Sequence, residues 1–176
     1  MKISKEKYRE FSFLGLVLLL FTLTPLLVEG QNWWNASWSE RQAIFIEGGN
    51  SSLTNFTVFI KMPFSHFMKT NFSDIRFLDQ ENNELGFEKT DVIEGNLGQF
   101  WVMIPQLSPG ENIIYAYYGN PSALQDNDPK LAYDFNHVYH FSSQDMLIDS
   151  AGNNNCSLVG AVDVEDGIFG KSSVFD

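Results

Sequence analysis

Four acidic residues fall in one short stretch, Glu84, Glu88, Asp91 and Glu94. Two carboxyl groups facing each other about 5–9.5 Å apart across a cleft can cleave a glycosidic bond. The flanking sequence gives no sign of such a cleft, so the favoured reading is a solvated acidic face. Asp74, Arg76 and Asp79 invite an acid–base reading too. On a strand, Asp74 and Arg76 share a face, and the expectation is an ion pair inside or at the rim of a sheet. His137 and His140 are three residues apart. On a helix they would share a face, but the run His137 to Phe141 reads as a strand, which points them to opposite faces and argues against a metal site. His66 stands alone in an irregular stretch. There is no glycine-rich phosphate loop and no nucleophile elbow, and Gly48-Gly49 is turn chemistry. The expectation is a non-enzymatic chain with no catalytic residue, metal or cofactor.

Aromatic residues offer a different chemistry. Trp33, Trp34 and Trp38 open the stretch after residue 31, and Trp101, Tyr115, Tyr117 and Tyr118 weight a later one. Flat aromatic faces stack on sugar rings, which makes Trp33, Trp34, Trp101 and Tyr117 the candidate ligand-binding residues. The competing reading is burial, with the tryptophan segment pinned across the open end of a sandwich, since large aromatics mostly supply core area.

The elements that would position these residues are strands. Phe100 to Asn120 holds two apolar runs around a loop with Ser108, Pro109 and Gly110, a hairpin signal that predicts the central antiparallel pair of a sandwich. Arg41–Glu47 and Phe56–Met62 alternate, Asp74–Leu78 is a short strand, and Glu84–Lys89 alternates with Leu85 and Phe87 inward. Asp79 to Asn83 and Gly95 to Gly98 are turns. Strands every 10–15 residues with no helical periodicity predict an all-β, antiparallel β-sandwich. The expected organisation is residues 1–30 as an export signal or anchor, 31–120 as the sandwich, and 121–130 as a linker rich in proline and acids. Residues 131–176 then form an incomplete second β region, either packed on the sandwich or opening another domain.

Composition supports a folded, exported chain. Aromatic content is 15% with 16 Phe, enough for a core. The formal net charge is −11; residues 1–30 take four of the 11 basic and three of the 22 acidic residues, leaving 7 and 19. Such a surface repels phosphate backbones, so nucleic acid is not an expected partner. Lys2, Lys5, Lys7 and Arg9 precede the largely apolar run Phe11–Val28, and Val28 and Gly30 fit a cleavage site before Gln31. The alternative is an uncleaved anchor, the only membrane contact foreseen. Its run is short for a span and interrupted by Ser12, Gly15, Thr22, Thr24 and Pro25. Either reading places the rest at the cell surface or outside the cell. Asn35, Asn50, Asn55, Asn71 and Asn155 begin glycosylation sequons, relevant where the host modifies them. Cys156 is the sole cysteine, which rules out an intrachain disulfide and is read as a small, half-buried apolar residue.

The order of landmarks resembles a known family. These are the paired tryptophans with Trp38 and Arg41, Asn55-Phe56-Thr57-Val58, Ser73-Asp74-Ile75-Arg76-Phe77, Leu85-Gly86-Phe87-Glu88, Phe100-Trp101-Val102-Met103-Ile104-Pro105 and Tyr117-Tyr118-Gly119-Asn120. In this order they look like the domain of unknown function 2341 family of bacterial and archaeal extracellular proteins, over about half the chain. The later run His137–Phe141, Asp149–Asn153, Asp166–Lys171 and Phe175-Asp176 resembles the start of a concanavalin A-like (laminin-G-like) jelly roll, truncated here. Sugar or calcium sites of complete lectin-like domains are not carried over, because the stretches that would hold them are missing. The resemblance implies a secreted or surface accessory module and no reaction. Together these readings predict a binding or adhesion module for a glycan or a cell-surface partner. The alternatives are a structural spacer in a larger envelope protein and an accessory piece of a polysaccharide-degrading enzyme.

Overall fold

The computed structural model describes residues 33–124, 128–140 and 147–157, and the strand backbone of 162–167 and 170–175. The expected export segment, residues 1–30, lies outside the described residues. Contacts divide the chain into Met1–Trp33 and Trp34–Asp176, and every element below belongs to the second unit.

Among the described residues eight strands form, β1 Glu40–Gly48, β2 Leu53–Pro63, β3 Arg76–Leu78, β4 Phe87–Ile93, β5 Leu97–Leu107, β6 Gly110–Tyr118, β7 Val162–Gly167 and β8 Gly170–Phe175, with one 3₁₀ turn at Pro129–Ala132. They build two antiparallel three-stranded sheets, in the orders β1-β6-β3 and β2-β5-β4, and a separate β7-β8 hairpin. The all-β sandwich expected from strand spacing is the architecture found. Among the described residues no helix is long and apolar enough to cross a membrane.

Alternation decides which residues enter the core. Phe100, Val102 and Ile104 of β5, Ile114 and Ala116 of β6, Ile60 and Met62 of β2, Phe77 of β3 and Phe87 of β4 are buried in one cluster. Phe77 comes from one sheet, Phe87 and Phe100 from the other. Their rings meet edge to face at 5.3 Å for Phe77–Phe87 and Phe77–Phe100, which interlocks the layers. Each such pair adds about 0.5–1.5 kcal/mol beyond the area buried.

The Phe100–Asn120 stretch departs from the hairpin expectation. Strands β5 and β6 do not pair; each is the central strand of a different sheet. The reason is that both edges of β5 are taken by β2 and β4, and both edges of β6 by β1 and β3. The short connection therefore arches from one layer to the other. Asn112 holds the arch: its Oδ1 accepts from Ser108 N at 2.9 Å, and its Nδ2 donates to the carbonyls of Ser108 at 2.8 Å and Gly110 at 2.9 Å. Gly110 enters β6 at φ +80, a conformation open to glycine.

Of the segment expected as linker and tail, Ala123 packs with Trp38, Leu78 and Tyr117 on the β1-β6-β3 side, whereas residues from 129 to 134 lie on the outer face of the β2-β5-β4 sheet. Thr57 Oγ1 donates to Ala132 O at 2.6 Å, and Asn55 Nδ2 donates to Asp134 Oδ2 at 2.9 Å. Gly86 makes this approach possible, because a Cβ there would stand 2.1 Å from the carbonyl oxygen of Leu131. Residues 137–140 form no strand; Val138 uses its N–H on Asp149 Oδ1 and its carbonyl on Ser150 N, so no ladder is left for it to join.

Replacing Asn112 with alanine removes the side chain that ties both ends of the arch. Urea unfolding is expected to show a loss of about 0.5–1.5 kcal/mol, the net scale of a hydrogen bond whose partners water can reach. An unchanged midpoint would contradict this role.

Candidate functional site

The outer face of the β2-β5-β4 sheet gathers most of the polar chemistry. Alternation on β4 puts Phe87 into the core and Glu88 outward, opposite Trp101 in register. The tail then covers Glu88, leaving it 7% exposed. Its carboxylate is held by three side chains: Tyr133 OH donates to Oε2 at 2.5 Å, His140 Nε2 lies 2.7 Å from Oε2, and Ser150 Oγ donates to Oε1 at 2.7 Å. Tyr133 OH also sits 3.2 Å from His140 Nε2, and the imidazole stacks on Trp101 at 6.2 Å. Burial pushes the Glu88 pKa up, but the hydrogen bonds from His140, Tyr133 and Ser150 outweigh it and hold the group below its ordinary value. Burial and the adjoining carboxylate push the Tyr133 hydroxyl far above its ordinary value. Glu88, not His140, is the centre of this arrangement. Ser150 and His140 both bond to the carboxylate, so the group is not a nucleophile–base–orienter relay.

A second carboxylate organises the neighbouring loop. Asp149 accepts from Val138 N at 3.0 Å, Ala151 N at 3.2 Å and Asn154 N at 3.2 Å, and pairs with His137 Nδ1 at 3.0 Å. These contacts, led by His137, hold its pKa well below the usual carboxylate range. The loop closes through Ser150 N to Val138 O and Cys156 N to Leu147 O, both 2.8 Å. His137 and His140 thus serve different carboxylates, and the strand expected to point them to opposite faces does not form. Among the described residues no cluster of three or more His, Cys, Asp or Glu could hold a metal ion.

Between β4, the Pro129 turn and this loop lies a cleft of about 480 Å³. Lys89, Pro129, Lys130, Ile148, Asn153 and Asn155 line it beside Glu88 and Asp149. Lys130 Nζ donates to Asn153 Oδ1 at 2.7 Å and Lys89 Nζ to Asn71 O at 2.8 Å. Burial lowers the Lys89 pKa from its ordinary value, against the opposing charge of Glu94.

The aromatic candidates do not form one platform. Tyr117 is fully buried on the outer face of the β1-β6-β3 sheet, so its ring has no face to offer a ligand. Trp34 packs on Trp38 and Tyr117 at 4.8 and 5.6 Å, Arg41 Nη1 donates to Tyr117 OH at 3.1 Å, and Arg76 lies over Trp38 at 5.4 Å. The tryptophan segment is thus packed against the outer face of the β1-β6-β3 sheet, not across an open end of the sandwich as the burial reading expected. Trp101 lies on the opposite outer face, between Phe59 at 4.7 Å and His140. Trp33 is 43% exposed.

Other expectations are revised by burial. The solvated acidic face fails at Glu88, because the tail covers it, while Glu84 and Glu94 are exposed. Asp74 is buried and accepts from Lys69 N and Gly119 N at 3.0 and 2.8 Å. Arg76 donates to the carbonyls of Ser73, Ile75 and Leu124. No described ion pair joins Asp74 to Arg76, because each faces backbone groups instead. Cys156 is exposed rather than half-buried. Of the sequon residues Asn35, Asn50, Asn55, Asn71 and Asn155, all are exposed, but Ser73 of the Asn71 sequon is buried. Tyr133 and Ser150 had no signal in the sequence, since partners 45 and 62 residues away give them their role.

Replacing Glu88 with glutamine leaves donors facing an amide and is expected to cost about 2–4 kcal/mol. Because the folded pKa is lowered, the Glu88 contribution is present above its ordinary value near 4.5 and is lost as pH falls through the folded value. Unfolding midpoints across an acid series are therefore expected to fall less steeply in Glu88→Gln than in the wild type. Parallel curves would contradict the assignment.

No curated protein and no solved structure matches the chain. The model of the family described as Domain of unknown function (DUF2341) matches residues 71–148, a stretch that runs from the loop before β3, through Glu88 and both central strands, past Tyr133 and His140 to Ile148.

Proposed function

We propose that this chain is a non-enzymatic extracellular or cell-surface binding module that takes a glycan. The observation that carries this reading is the cleft beside β4, whose polar amides and lysines adjoin the apolar edges of Pro129 and Ile148. Its volume falls within the range of about 300–1,000 Å³ common to small-ligand sites. Amides supply both donors and acceptors for hydroxyl groups, and apolar edges suit the C–H faces of a sugar ring. The two buried carboxylates at the cleft are each held by several donors, which suits holding a loop in place more than exchanging protons. Trp33, 43% exposed, is a separate aromatic side chain of the kind that stacks on sugar rings. The resemblance of residues 131–176 to the opening of a concanavalin A-like jelly roll belongs to this reading, and the β7-β8 hairpin is compatible with it.

A panel of immobilised glycans incubated with the purified full chain tests the proposal. Retention on at least one glycan with no released sugar is the expected result. Retention on none, together with stable self-association, would favour the spacer role. Released oligosaccharide would favour the enzyme-accessory role.

A further inference from the structure

An open sheet edge invites another chain, and folded proteins blunt their edges with short strands, proline, bulges or lysine. The outer strands of the two sheets differ in this respect. Strand β3 is three residues long and is followed by a bridge from Leu78 to Glu84. Strand β2 turns left-handed at Asn55, φ +50, carries Lys61 and ends in Pro63. Strand β4 breaks register between Lys89 and Val92. Strand β1 has none of these. It pairs with β6 without a break over nine residues, with no proline and no lysine, and among the described residues no strand takes its second edge. Ile44 and Ile46 pack on the core, so Phe45 points outward between them, in register with Ile113. It is 63% exposed, more than any other large apolar residue of β1 to β6. Toward the end of the strand Glu47 stands opposite Glu111, both exposed, a like-charge pairing that costs stability.

We propose that β1 is a docking edge for a second copy of this chain, the two β1 strands pairing antiparallel about Ile44 to join two β1-β6-β3 sheets into one. The strand is complementary to itself in that register. Centred on Ile44, the pairing overlaps all nine residues. On the outer face Arg41 comes opposite Glu47 of the second copy at both ends, and Phe45 comes opposite the small Ala43 of the second copy on both sides of the centre. On the inner face Glu40 meets Gly48, Gln42 meets Ile46 and Ile44 meets its own copy, so no like charges face each other. Moving the centre to Ala43 or Phe45 shortens the overlap and takes Arg41 away from Glu47. Arg41 donates from Nη1 to Tyr117 OH and rests over Tyr115, so it acts on the second copy as a charge beside the edge and not through a new forked bond. That charge offsets the repulsion between Glu47 and Glu111. A two-fold contact of this kind uses the same patch twice and closes on itself, which stops further growth along the edge. The pairing is independent of what the cleft beside β4 holds.

Sedimentation equilibrium of the full chain in reducing buffer, across a range of concentrations, tests this with the wild type, Phe45→Ala and Glu47→Arg. Both substitutions fall at exposed positions. Both variants keep residues 1–30 and Cys156, so any association through those parts is the same in all three proteins. The wild type is expected to show a reversible monomer–dimer equilibrium. Phe45→Ala is expected to weaken it by about tenfold or more, because each dimer loses two covered rings. Glu47→Arg sets Arg41 against an arginine at both ends and is expected to weaken it by at least about fivefold. The sign of that change is diagnostic, since the substitution also makes an acidic chain less negative, which by itself eases association. A wild type that stays monomeric up to about 1 mM would overturn the inference. A dimer that Phe45→Ala leaves unchanged would overturn its location at β1. A dimer that Phe45→Ala weakens but Glu47→Arg leaves unchanged or strengthens would overturn the register.

Discussion

The buried carboxylate of Glu88 is the constraint on which the outer face of the β2-β5-β4 sheet depends. A carboxylate taken out of water must be met by donors, and one strand cannot supply them. The donors come from Tyr133, His140 and Ser150, all on chain that follows both sheets. Covering Glu88 therefore requires the chain after Asn120 to return across the sheet. That return fixes the Pro129 turn against Gly86, brings Asp149 to order its loop, and leaves the cleft between loop and strand. The same logic operates on the other outer face. There Asp74 receives Lys69 N and Gly119 N, and its carbonyl receives Trp38 Nε1 at 2.7 Å, so the tryptophan segment is tied down by a polar hub as well as by apolar packing.

Between these two covered faces the core is simple. The arch held by Asn112 lets two strongly apolar strands become the centres of two sheets instead of partners in one. Central placement of both gives each sheet two flanking neighbours and directs Phe100, Val102, Ile114 and Ala116 toward a shared interior. The family match spans both central strands and the Tyr133 and His140 donors to Glu88 but ends before Ser150, so the matched unit includes the stretch that composition alone sets aside as a linker.

Local pattern made much of this legible in the sequence. Alternation found β1, β2 and the inward Leu85 and Phe87, and turn residues found the Asp79–Asn83 and Gly95 turns, because those signals act over a few neighbouring residues. Pairing was harder to read. Two apolar runs around a short loop are compatible with a hairpin or an arch, and only the competition of other strands for their edges decides between them. Burial of polar residues was hardest. Glu88 and Tyr117 alternate as outward residues should, and Asp74 sits in the turn before β3, yet each is buried by chain that arrives from 36 or more positions away. Covered outer faces break the equation of outward with exposed, and the cleft, a product of that covering, leaves no local trace. The arrangement of His137 and His140 shows the same limit, since their separate carboxylates lie on different elements.

Native-state amide hydrogen exchange on the full chain tests the central claim most directly, namely that residues 128–140 and 147–157 are an integral layer of the sandwich. The account predicts that the amides of Val138, Ser150 and Cys156, bonded to Asp149, Val138 and Leu147, exchange with protection approaching that of the β5 strand. Exchange of these three amides at the rate of an open chain, while β5 stays protected, would contradict it.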